Sequence, residues 1–239
     1  MAGRVAYYGG IVKDGLVLNL DAAKRDSYPG TGTTWRDISG NQLTGSLVNG
    51  PTFNSDNGGS LVFNGTNDYV TGFGNTSTFS FIQNTGIFTL NIWVRITDLT
   101  AGRYFLGNND GTTALKGFSL GYDTTNSRLA LILTNGVGGV ATLTMRRNFF
   151  VTDTNWMLVT YAGNGTNCSL YKNGIFQATS VDYGVLSTGD STRELGVGRP
   201  NNLTGTFIGN ISTLQIYNRP ISAQEVLQNY NATKSRYGL

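Results

Sequence analysis

Apolar and polar positions alternate along much of the chain. The clearest run is Phe88-Thr89-Leu90-Asn91-Ile92-Trp93-Val94-Arg95-Ile96. With a side-chain period of two, Phe88, Leu90, Ile92, Val94 and Ile96 fall on one face of a strand, which predicts that this face is buried. Trp93 falls on the opposite face, so that face is expected to be partly covered as well. Runs of the same grammar occupy residues 15–21, 60–63, 68–70, 103–106, 117–122, 128–133, 141–145, 155–161, 168–171, 175–178, 194–198 and 208–217. Asn64-Gly65 and Asn173-Gly174 supply the residues that tolerate positive φ in tight hairpins. Residues 26–60 read as loop up to the strand that ends them. One helix start stands out: Ser222 and Glu225 have the spacing of a capping box, and Ile221 and Val226 that of a hydrophobic staple. A helix of about 8–10 residues, with Val226, Leu227 and Tyr230 on its apolar face, is predicted there. About a dozen strands and one short C-terminal helix make the fold class all-β, with two antiparallel sheets packed face to face. The expected division is an N-terminal arm at 1–14, one domain at 15–231 and a C-terminal tail at 232–239.

Composition narrows the chemistry. The 239 residues include 33 Gly, 4 Pro, 1 Cys and no His. Without histidine there is no imidazole base or ligand, and a lone Cys168 forms neither an internal disulfide nor a cysteine zinc cluster. Cys168 falls in a predicted strand and reads as a small buried residue. Lys plus Arg is 17 against 14 Asp plus Glu, a net charge of +3 that is scattered rather than striped, so no nucleic-acid partner is expected. MAGRVAYYGG lacks an apolar signal core, and no apolar run approaches a membrane span. The expectation is a soluble chain made in a cytoplasm, with no membrane insertion. The Asn-x-Ser/Thr triplets, such as Asn64-Gly65-Thr66, read as by-products of an Asn- and Thr-rich chain.

Several phrases recur in a familiar order: Leu16-Val17-Leu18-Asn19-Leu20-Asp21, Trp35-Arg36-Asp37-Ile38-Ser39-Gly40-Asn41 and Leu61-Val62-Phe63-Asn64-Gly65-Thr66-Asn67-Asp68-Tyr69-Val70. They are followed by Phe88 to Val94, Trp156-Met157-Leu158-Val159-Thr160-Tyr161, Leu170-Tyr171-Lys172-Asn173-Gly174, and Gly209-Asn210-Ile211 through Arg219 into the Ser222–Glu225 helix start. Over about residues 15–231 the chain resembles the laminin-G-like, concanavalin A-like jelly-roll family, in its pentraxin-like branch. The stretch Asp14 to Ala23 together with Trp35 to Asn41 is also similar to such domains in tailed-phage virion proteins, those of cyanophages especially. Packing explains these motifs: aromatic residues fill the space between sheets, and Asp21, Asp37 and Asp68 are expected to accept backbone N–H groups near turns.

The resemblance brings three candidate chemistries. Laminarinase-type relatives carry paired acids on one strand, and retaining glycosidases need carboxyls about 5–5.5 Å apart. Here Glu194 has no acidic neighbour and Glu225 belongs to the helix cap, so the chain is expected not to be an enzyme and glycoside hydrolysis is the least favoured reading. Pentraxin-like relatives bind Ca²⁺, which needs six to eight oxygen ligands. Asn109 and Asp110 match the first calcium loop, but the second, Gly198 to Gly205, carries an arginine and no acid. No cofactor is required; a single calcium site drawing on Asn109, Asp110 or Asp123 is the candidate. Lectin-type sugar binding uses an exposed ring beside loop amides. The candidates for that role are Tyr28, Tyr122, Asn201 and Asn202, with Tyr183 a further loop aromatic.

The expectation is therefore a non-enzymatic virion structural protein of a tailed phage, decorating a capsid or forming part of a tail or fibre. Its partners would be other virion proteins, in multiple copies or as a homo-oligomer. The alternative is a carbohydrate-binding adhesin that recognises host glycans.

Overall fold

The computed structural model describes residues 9–110, 116–134, 141–145, 150–179, 186, 189–199 and 206–239. Its strands and helices run β1 (Leu16–Asp21), β2 (Thr34–Trp35), β3 (Gly45–Val48), β4 (Thr52–Asn54), β5 (Ser60–Asn64), β6 (Tyr69–Thr71), α1 (Ser80–Thr85), β7 (Ile87–Ile96), β8 (Arg103–Gly107), β9 (Phe118–Asp123), β10 (Arg128–Thr134), β11 (Ala141–Met145), β12 (Met157–Asn164), β13 (Cys168–Lys172), β14 (Ile175–Thr179), β15 (Gly196–Val197), β16 (Ile208–Tyr217) and α2 (Ala223–Thr233). A 3₁₀ turn at Lys234–Tyr237 follows α2.

All ladders between these strands are antiparallel, and they form two sheets. The first has the order β14-β13-β12-β7-β16-β5-β4, and the second β11-β10-β9-β8-β15-β6-β3-β2. One long edge of β16 is shared: residues 208–211 pair with β5 and residues 213–217 with β1. The changeover falls at Ser212, a bulge, and its polar groups are used. Its carbonyl accepts from Ala22 N, and its hydroxyl donates to Gly59 O and accepts from Tyr237 Oη.

The alternation in β7 resolves as expected. Phe88, Leu90, Ile92, Val94 and Ile96 are buried between the sheets, with Ile211, Leu214 and Ile216 of β16, Met157, Val159 and Tyr161 of β12, and Leu129, Leu131 and Leu133 of β10. Each such side chain contributes roughly 1.5–3 kcal/mol when removed from water. The outward residues Thr89, Asn91 and Trp93 are buried too. Their cover is α2 and the turn after it. Trp93 Nε1 donates to Thr233 Oγ1 at 2.8 Å, and its ring stacks on Tyr237 with centroids 3.9 Å apart.

Helix α2 forms where the capping box predicts. Ser222 Oγ accepts from Glu225 N, and Glu225 returns a carboxylate to Ser222 N. Ile221 and Val226 meet in one buried cluster with Val12, Tyr171 and Tyr217. The helix is 11 residues long and buries Val226, Asn229 and Thr233, a helical spacing of three and four.

One expectation needs correction, and both chain ends are held against the domain. Residues 26–60 hold the short strands β2, β3 and β4, and α1 was not legible; two- to six-residue elements carry too little periodicity to see. The end of the N-terminal arm packs on the domain: Val12 is buried and its N–H donates to Asn229 Oδ1 at 2.8 Å. The C-terminal tail is likewise held. Arg236 pairs with buried Asp21 at 2.8 Å, and Tyr237 sits under Trp156 and against Trp93.

Candidate binding cleft

The structure does not unite the predicted calcium residues. Asp110 follows β8, and its Oδ1 accepts from Lys116 N at 3.1 Å. Asn109 lies beside it, donating its N–H to Phe118 O. Asp123 ends β9, where its carboxylate caps the following 3₁₀ turn by accepting from Thr125 N. Since Asn109 meets the start of β9 and Asp123 is its last residue, about 16 Å of strand separates the two acids. Ligands of one Ca²⁺ lie within about 2.3–2.6 Å of the ion, so Asp110 and Asp123 cannot share it. Among the described residues, no three carboxylate or thiol side chains gather as a metal site.

The predicted sugar-contacting tyrosines do not present open rings either. Tyr28 is buried, its hydroxyl donates to Gly32 O at 2.9 Å, and its ring tilts onto Phe53. Burial also pushes its phenol above the ordinary tyrosine range. Tyr122 continues the inward series Phe118, Leu120, Tyr122 of β9, so its ring is in the core. On the far side of β9, Tyr122 and Asp123 border a 120 Å³ groove with Tyr104 and Gly121. Gly121 is glycine because a Cβ would strike Arg103 O and Tyr104 across the ladder. Asn201, Asn202 and Tyr183 lie outside the described residues.

The aspartates behave as expected of turn residues. Asp37 Oδ1 accepts from Asn19 N and Ser39 N, both at 2.8 Å. Asp21 accepts from Ala23 N and Asp68 from Asn64 N. Cys168 is fully buried.

A site that the sequence did not single out lies on the outer side of the first sheet. It is a 310 Å³ cleft bounded by Arg95 at the end of β7, by Asp153, Asn155 and Trp156 before β12, by Lys172 at the β13–β14 hairpin, and by Tyr237. Trp156 is half-buried and fixed at both ends. Its Nε1 donates to Asn57 Oδ1 at 3.0 Å, and its ring leans on Tyr237 with centroids 4.9 Å apart. Arg95 Nε donates to Thr154 O at 2.9 Å, tying down the loop that carries Asp153, whose Oδ1 accepts from Asn155 N. The hairpin wall is rigid because Asn173 and Gly174 adopt φ of 51° and 78°, as a type I′ turn requires, and Asn173 Oδ1 accepts from Leu158 N. The terminal guanidinium nitrogens of Arg95 and the Oδ2 of Asp153 have no partner among the described residues. The cleft therefore sets an oriented aromatic face beside the donor nitrogens of Arg95 and an acceptor oxygen of Asp153, which suits hydroxyl-rich ligands. The signal was present: in Trp156-Met157-Leu158-Val159, alternation puts Trp156 on the face away from Met157 and Val159, the same argument that exposed Trp93's role.

A family model described as the concanavalin A-like lectin/glucanases superfamily matches residues 63–227. No curated protein matches the chain. Among solved structures, domain 4 of an extracellular arabinanase from Geobacillus stearothermophilus, in complex with arabinotriose, superposes with a TM-score of 0.68 at 16% identity, over 90% of this chain and 98% of that one. The binding domain of botulinum neurotoxin DC, in complex with rat synaptotagmin II, gives 0.67 at 16%, over 93% and 52%. Trypanosoma rangeli sialidase, in complex with sialic acid, gives 0.65 at 16%, over 93% and 33%. The chain thus spans about a third of the sialidase. At these identities the likeness establishes the sandwich alone.

Proposed function

The chain belongs to the concanavalin A-like lectin/glucanases superfamily, and from that premise we propose that it is a non-enzymatic recognition module that holds a carbohydrate in the Trp156 cleft. The observation that carries this reading is the fixed, half-buried indole facing a cleft with unpaired groups of Arg95 and Asp153. The arabinotriose held by the arabinanase domain of this fold supports the ligand class. The state of Glu225 supports binding without turnover. Glu225 is drawn into a bidentate pair with Arg219 at 2.6 and 3.0 Å and a helix cap, and its carboxyl is held down to about 2, which unfits it as a general acid. The setting we propose is a particle surface, as a capsid-decorating or tail-fibre component of a tailed phage; it rests on the resemblance of residues 14–23 and 35–41 to such virion domains. A glycan array followed by calorimetry tests the ligand class. Trp156→Ala should weaken any hit by about tenfold or more, since stacking and burial of one aromatic face contributes on the order of 1.5 kcal/mol. An array blank with and without calcium would remove the carbohydrate reading.

One observation favours a second reading, a structural part that acts by protein contact. The terminal strand β14 exposes Ile175 at 65% and Phe176 at 54%, with exposed Leu227 packed close to the hairpin turn at Gly174. Under that reading, Ile175→Lys with Phe176→Lys abolishes assembly into particles and leaves glycan binding intact.

A further inference from the structure

Beneath α2, a line of polar side chains crosses four neighbouring strands of the first sheet. The register places Thr160 of β12 opposite Asn91 of β7, Asn91 opposite Gln215 of β16, and Gln215 opposite Asn19 of β1. All four are buried. Thr160 Oγ1 donates to Asn91 Oδ1 at 2.5 Å, Asn91 Nδ2 donates to Gln215 Oε1 at 2.6 Å, and Gln215 Nε2 donates to Asn19 Oδ1 at 3.3 Å. Every hydrogen runs in the same sense, so the bond dipoles add and each bond polarises the next. A buried chain of this kind must end somewhere, and its positive end is Asn19 Nδ2.

That terminal amide is 6% exposed as a residue, and its Nδ2 hydrogens find no acceptor among the described residues. Asn19 instead lines a second cleft, of 310 Å³, which shares no lining residue with the Trp156 cleft. Lys13 and Lys24 flank it, Ser39 lies at its border, and Leu16 and Ile38 supply apolar wall. Neither ammonium is paired among the described residues. The carboxylates around it are already engaged: Asp37 accepts from Asn19 N, Ser39 N and Ser39 Oγ, and Asp14 and Glu225, which line the adjoining cleft, both pair with Arg219. Two cations and the donor end of an aligned dipole chain meeting at one cleft match an anionic oxygen and repel a cation.

We propose that this cleft binds an oxyanion carried on a compact ring: the carboxylate or sulfate of an acidic sugar, with the ring's C–H face against Leu16 and Ile38. The site stands apart from the Trp156 cleft and from the function proposed for it.

The test is a titration of the whole chain with sodium glucuronate, inorganic sulfate and glucose, followed by calorimetry and by the Asn19 side-chain amide resonances. Glucuronate should bind saturably and shift the Asn19 Nδ2 signals, and glucose should bind at least about tenfold more weakly. Lys13→Ala with Lys24→Ala, both on the surface and harmless to the core, should weaken glucuronate at least about tenfold. Asn19→Asp keeps the acceptor for Gln215 but replaces the outward donor by a negative charge, and should abolish binding. Sulfate shifting the same resonances shows that the oxyanion itself is recognised; glucuronate alone doing so narrows the ligand to a sugar carboxylate. The proposal falls if neither anion moves Asn19, if glucose matches glucuronate, or if the double lysine variant binds like the parent. Trp156→Ala should leave this titration unchanged, which separates its outcome from that of the carbohydrate reading.

Discussion

Trp93 and Trp156 share the outward side of the first sheet, yet one is wholly covered and the other only half. The difference is where the C-terminal turn comes to rest: Tyr237 lies flat on Trp93 and meets Trp156 at a 49° tilt, leaving part of the second ring to the cleft. The charged residues that hold this arrangement make predictions of their own. Arg219 beside Glu225 holds that carboxyl at about 2, below its ordinary 4.5. A carboxyl depressed in the folded state adds stability above its unfolded pKa and gives it up as pH falls through the folded one. Melting temperature should therefore drop between pH 4.5 and about 2 by more in the parent than in Glu225→Gln. The amount is about 1–2 kcal/mol after allowing for solvent screening of a partly exposed pair. The buried carboxylate of Asp21 makes a second case. Arg236→Ala leaves it without its cation and should lower stability by about 2–4 kcal/mol in denaturant unfolding.

At the scale of elements, long β7 and β16 and the capped helix α2 were legible because each repeats its signal over several turns or pleats. Nine residues of alternation, Phe88 to Ile96, show which side of β7 faces the opposing sheet, and the Ser222–Glu225 spacing marks the first turn of α2. The short elements β2, β3 and β4 were not legible: β2 has two residues and is defined by its partner rather than by its own pattern. The candidate site was the least legible part. Tyr28 and Tyr122 read as loop aromatics from their neighbours in sequence, but the loop of Tyr28 folds inward and β9 runs through Tyr122. Trp156 carries no local sign of its cleft because the ring it leans on, Tyr237, lies 81 positions away. The turn carrying Tyr237 is a cover of its own, so its removal has a spectroscopic consequence. Tyr237→Ala should cost about 3 kcal/mol and red-shift tryptophan fluorescence as Trp93 becomes wet. Ser222→Ala, which removes a cap without touching that contact, should cost about 1 kcal/mol with no such shift.

As a whole molecule, the sandwich separates holding from touching. One continuous apolar core joins both sheets, and the polar and aromatic chemistry lies on the outer side of the first sheet around α2 and the chain's last turn. Because the core is shared, unfolding by heat or denaturant should be a single transition with coincident fluorescence and circular dichroism midpoints. The central claim is that a carbohydrate sits against one particular indole. The chain has three tryptophans, so its ¹⁵N-labelled form offers three indole N–H resonances, and Trp156→Phe identifies one of them by its loss. Titration with a glycan that scores on the array should move the Trp156 indole saturably and leave those of Trp35 and Trp93 in place. A saturable ligand that leaves the Trp156 resonance unmoved would contradict the account.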